Sequence, residues 1–140
     1  RNENLWRFSI MASILRVDTI TDASSNNSIA TSVLFEGSSK HWILMNGTGT
    51  VAVTDSYNNT SITDNGTGDY TITIANNMNT ANFCVATGGG YDEDGSTANN
   101  RQGPGASNKT TTAFKLTTGS NTTAADDWEA PAAQTLGDLA

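Results

Sequence analysis

Ser61-Ile62-Thr63-Asp64-Asn65-Gly66-Thr67-Gly68-Asp69-Tyr70-Thr71-Ile72-Thr73-Ile74 carries two signals at once. Tyr70, Ile72 and Ile74 fall on one side of an extended chain and Thr71 and Thr73 on the other, the period-two pattern of a half-buried strand. Before them, Asp64 to Asp69 hold two glycines and an asparagine, residue types that accept the backbone angles of a tight turn. Residues 61–74 are therefore predicted to form a β-hairpin.

Working outward, the same grammar recurs. His41-Trp42-Ile43-Leu44-Met45 and Thr50-Val51-Ala52-Val53 flank Asn46-Gly47-Thr48-Gly49, an Asn-Gly turn between apolar runs. Ser56 to Asn59 is predicted to be a second turn. Asn82 to Thr87 and Thr111 to Thr117 are predicted strands, the latter with Thr112, Phe114 and Leu116 on one side. Gly88 to Asn108 is predicted to be one long exposed loop. Near the C-terminus Asp126-Asp127-Trp128-Glu129 are predicted to open a helical turn that Pro131 would disturb. Upstream, Ile14 to Ile20 and Ile29 to Phe35 are predicted strands around the polar turn 22–28. This piece is too small to fold alone. Six to eight short strands predict an all-β, antiparallel β-sandwich over 39–140, preceded by a short extended segment at 11–38 for attachment or oligomerisation.

Composition agrees. Thr, Ser, Asn and Gly account for 64 of the 140 residues; Thr favours strands, and Asn and Gly favour turns. Helix formers are too sparse for a bundle. The net charge of −7 repels phosphate backbones and argues against nucleic-acid binding. No run of about 18 apolar residues is present, so no membrane-inserting helix is expected. Residues 1–10 differ from the rest. Met11-Ala12-Ser13 reads like an ordinary protein start, so these residues are either upstream translation or an arm that docks Trp6 and Phe8 on a neighbour.

No motif announces an enzyme. His41, the single histidine, lacks the nucleophile and orienting partner of a triad. Gly88-Gly89-Gly90 lacks the Lys-Ser/Thr of a phosphate loop. Cys84, the single cysteine, excludes an internal disulfide and is expected to be a small core residue. Asp92, Glu93 and Asp94 are a weak calcium candidate, because their spacing does not fit an EF-hand loop. A solvated acidic turn is expected there, with no metal and no cofactor. The seven Asn-x-Ser/Thr sequons follow from composition. Trp42 is expected in the core.

From Trp42 to Val53, and again from Ser61 to Ile72, the chain resembles tail-fibre proteins of marine bacteriophages. Those segments read approximately W-V-x-F-x-G-T-G-T-V-A-I and S-I-T-D-N-G-T-G-D-Y-T-V. An aromatic strand like Ala81-Asn82-Phe83 follows in that family, and Leu15 to Ser24 is similar to the N-termini of such virion proteins. The likeness covers about half the chain. Two features of the family are missing from this sequence: a clear hydrophobic closing strand, for which Gln134 to Ala140 is a poor substitute, and a central shaft.

The resemblance implies a non-enzymatic structural component of a phage virion, a tail fibre or other external appendage. It implies self-assembly as a homotrimer, contact with other virion proteins, and contact with a host surface glycan or protein. A capsid or neck decoration, a glycan- or receptor-binding module and a bacterial surface-layer protein are the alternatives. Trp6, Phe8, Leu15, Val17 and Ile20 are the candidate assembly residues. Tyr91, Asp92, Asn99 and Arg101 are the candidate receptor contacts. Trp42 and Tyr57 are further aromatic groups able to stack on a sugar ring.

Overall fold

The computed structural model describes residues 16–24, 27–90, 101–120 and 124–140. Its elements are β1 (Thr19–Thr21), β2 (Ser28–Ala30), α1 (Thr31–Gly37), β3 (Ser39–Asn46), β4 (Ala52–Tyr57), β5 (Asn59–Gly66), β6 (Asp69–Ile74), β7 (Cys84–Gly90), β8 (Arg101–Ser107), β9 (Ala113–Ser120) and β10 (Ala130–Leu136). The last eight strands form an antiparallel β-sandwich: one sheet in the order β4-β3-β10-β7 and the other β5-β6-β9-β8.

The core follows from the alternation. β6 reads intermediate, buried, intermediate, buried, and its Tyr70, Ile72 and Ile74 point inward. Phe114 and Leu116 of β9 lie beside them in register, Ile72 against Phe114 and Tyr70 against Leu116. Ile43 and Met45 of β3 and Ala133 of β10 face them from the other sheet, and Met78 and Phe83 close the stack from the β6–β7 connection. Burying a side chain of this size contributes about 1.5–3 kcal/mol, so this layer supplies the main stabilising term.

The β4–β5 connection passes from one sheet to the other in a single residue. Asn58 joins β4 to β5 with φ of 58°, a left-handed conformation that asparagine tolerates better than most residues. Its Nδ2 donates to the Lys40 carbonyl at 2.8 Å, and its Oδ1 accepts from the Asn76 backbone N–H at 2.7 Å. The predicted turn at 56–59 thus shrinks to Asn58, with Ser56 and Tyr57 in β4.

At the opposite end Asp127 ties the sheets together. Its Oδ1 accepts from the Gly68 N–H at 2.6 Å and from the Tyr70 hydroxyl at 2.7 Å. The next carbonyl, of Trp128, accepts from the Gly47 N–H at 2.9 Å. Gly68, at φ 64°, has room for no Cβ: one would meet the Thr118 carbonyl and the backbone of Asp126. Burial and the adjacent Asp127 carboxylate push the Tyr70 phenol well above its ordinary value.

Several expectations are corrected. Ile29 to Phe35 is a strand only as far as Ala30; Thr31–Gly37 is helical. Both ends of the loop expected over 88–108 are sheet: β7 runs to Gly90 and β8 occupies Arg101–Ser107, glycines notwithstanding, because β7 pairs with β10 and β8 with β9; residues 91–100 lie outside the described residues. Asp126 to Glu129 is not helical. The closing strand missed in the sequence is β10, inserted between β3 and β7. Its alternation is carried by Pro131, Ala133 and Thr135, all buried, and these small or polar residues do not read as a hydrophobic strand.

Candidate assembly surface

The N-terminal elements form a unit without a core. β1 and β2 pair as a three-residue ladder, Thr19 with Ala30, Ile20 with Ile29 and Thr21 with Ser28. Asp22 and Asn27 clasp its turn: the Asp22 N–H donates to the Asn27 carbonyl at 3.0 Å, and Asn27 Nδ2 donates to Asp22 Oδ2 at 2.8 Å. Thr31 returns the chain to the hairpin, its N–H donating to the Asp18 carbonyl at 2.9 Å and its hydroxyl reaching the Val17 carbonyl at 3.1 Å. α1 has no side-chain N-cap and no buried residue. A helix of seven residues and a ladder of three are each marginal in water without packing against an apolar neighbour.

The apolar groups exist, but they face outward. Val17, Ile20, Ile29, Val33, Leu34 and Phe35 are all exposed, Phe35 at 65%. Val17, Ile20, Leu34 and Phe35, with Arg16, Asp18, Thr31 and Ser38, line a groove of about 740 Å³. The sequence candidates Val17 and Ile20 are therefore brought together. Trp6, Phe8 and Leu15 lie outside the described residues. Val33, Leu34 and Phe35 were missed because a β-branched, aromatic run reads as a strand; the turn residues on either side of a short helix offer no capping signal. Lys40 links the unit to the sandwich, donating to Ser38 Oγ at 2.7 Å with its ammonium 5.8 Å from the Phe35 ring centroid.

The sandwich presents two unlike outer faces. On the β5-β6-β9-β8 sheet, Thr63, Thr71, Lys115 and Ser107 form one row across the strands. Lys115 pairs there with Asp69 at 2.6 Å. This is the polar exterior expected of a sandwich. On the other sheet the comparable row is Tyr57, Trp42, Gln134 and Ala86, followed by Asp55, Leu44, Ala132 and Gly88. Trp42 is therefore not a core residue: the side chains that point inward from β3 are His41, Ile43 and Met45, and Trp42 lies half-buried on the outer face.

Cys84 is likewise exposed, not core; Phe83 takes the buried position instead. His41 is fully buried, with Nε2 3.2 Å from Asn59 Oδ1 and its ring edge-on to Phe114 at 5.6 Å. Burial lowers its pKa below the ordinary 6.5, against the opposing effect of the Asn59 hydrogen bond. Its surroundings are those of a structural histidine. Among the described residues no three His, Cys, Asp or Glu side chains group as a metal site, and no helix is long and apolar enough to cross a membrane. Tyr91, Asp92, Glu93, Asp94 and Asn99 lie outside the described residues. Arg101 is placed only by its backbone, which pairs with Ser120. Comparison with protein-family models, curated proteins and solved structures finds no match to this chain.

Proposed function

We propose that this chain is a structural component of a phage virion, a fibre-like appendage protein that assembles with copies of itself through its N-terminal unit. The observation that carries the assembly part of this reading is the folded but coreless unit of residues 16–38, whose six large apolar side chains face solvent. Four of them, Val17, Ile20, Leu34 and Phe35, line one groove, and an apolar patch left exposed on a small domain marks an interaction site. The likeness of Trp42–Val53 and Ser61–Ile72 to tail-fibre segments supplies the virion part.

Sedimentation velocity of the full chain over a concentration series tests the assembly. A discrete oligomer, a trimer on the fibre reading, is the expected species. A monomer at all concentrations up to hundreds of micromolar would sink self-assembly. Labelled antibodies against the chain, viewed on intact particles by electron microscopy, test the virion part and separate tail from neck and head.

A further inference from the structure

We infer that the outer face of the β4-β3-β10-β7 sheet is a binding site for a neutral oligosaccharide, laid across the strands along the row Tyr57, Trp42, Gln134 and Ala86. This site is separate from the N-terminal unit and does not depend on assembly. Four strands at the usual spacing make the row about 14 Å long, the length of an oligosaccharide of roughly three residues. In the next outward-facing row, Ala132 and Gly88 carry a methyl group and no side chain, beside Leu44. The groove here, about 460 Å³ and bordered by Trp42, Ala86 and Gln134, lies within the size range of small-ligand sites; Tyr57, paired with Trp42 on the neighbouring strand, extends the row beyond it.

The chemistry along the row selects the ligand. A pyranose has an apolar C–H face and a rim of hydroxyls. Trp42 and the exposed Tyr57 offer aromatic surface with a polar tip. The Gln134 side chain, exposed beside Trp42, offers an amide that both donates and accepts. Neither row holds a Lys or Arg, so an anionic sugar finds no counter-charge, and the one charged member, Asp55, repels it. The polar row on the opposite sheet acts as an internal comparison: the same fold places Thr63, Thr71, Lys115 and Ser107 where sandwich stability asks for solvated groups. The aromatic row is thus not a requirement of the architecture.

The test is a glycan array carrying neutral and sialylated oligosaccharides, probed with the full chain, followed by titration calorimetry with the best trisaccharide. Retention of neutral glycans is expected. Tyr57→Ala should weaken binding by about fivefold or more, the worth of one aromatic contact. Gly88→Ile should abolish it: a Cβ at Gly88 meets nothing within 4 Å, so the new side chain enters the groove without disturbing the sheet. Both variants should keep the wild-type melting temperature and oligomeric state. No neutral glycan bound, preference for sialylated glycans, or unchanged affinity in Gly88→Ile each overturns the proposal. So does a change of oligomeric state in either variant, which would make this face an interface between copies.

Discussion

Replacing Phe35 by Ser separates the contribution of the N-terminal unit from that of the sandwich. Phe35 is 65% exposed, which for a phenylalanine is roughly 130 Å² of apolar surface open to water. If that surface is covered in the assembled form, at about 25 cal/mol per Å² the ring contributes about 3 kcal/mol per protomer to association. Its loss should weaken association on the order of 100-fold for each protomer. Sedimentation velocity over a wide concentration range reads the shift directly. The monomer fold should respond little: the side chain lies outside the hydrophobic core cluster, and the Lys40 ammonium 5.8 Å from its centroid is worth about 0.5–2 kcal/mol. A far-ultraviolet melt should therefore move by a few degrees at most. Unchanged association in Phe35→Ser would refute the reasoning, because the most exposed apolar group of the patch would then be outside the interface.

The remaining predictions concern the sandwich. Tyr70→Phe removes the 2.7 Å hydrogen bond to Asp127 Oδ1 and should cost about 2 kcal/mol in urea denaturation, since the acceptor is a carboxylate; a loss under 0.5 kcal/mol would show that Asp127 holds the sheets through Gly68 alone. Because the Tyr70 pKa is raised in the fold, the unfolded chain releases this proton first, and stability should fall as pH rises above the ordinary value of 10, a slope absent in Tyr70→Phe. His41 behaves oppositely. Its pKa is lowered from 6.5 by burial, so the unfolded chain binds the proton first, and stability should be complete above pH 6.5 and decline below it. His41→Gln should flatten that decline, and an identical acid profile would remove the assignment. Gly68→Ala combines a backbone at φ 64° with a Cβ that collides with the Thr118 carbonyl; a loss of more than about 3 kcal/mol is expected, seen as a weakened or absent cooperative melt.

Local pattern was enough for the hairpin at 61–74 and for the β-sandwich class. The alternation of Tyr70, Ile72 and Ile74 with threonines specifies which face is buried, and Asn-Gly and Thr-Gly pairs specify where the chain reverses. That Val17 and Ile20 would lie outside a core was legible because the short N-terminal segment is too small to bury its own apolar groups. Three things required tertiary structure. β10 is a strand because β3 and β7 flank it and satisfy its backbone, which lets Pro131, Ala132 and Ala133 take a place that their own propensities do not request. Trp42 faces outward because pleat parity follows the buried Ile43 and Met45, so side-chain size does not decide the matter. Thr31–Gly37 is a helix, without the caps that would signal one, where Thr31 hydrogen-bonds back to Asp18 and Val17. The groove over Leu34 and Phe35 forms within residues 16–38, where Thr31 folds back on Val17 and Asp18. The row of Tyr57, Trp42, Gln134 and Ala86 across the first sheet joins residues dozens of positions apart, which no window along the chain brings together.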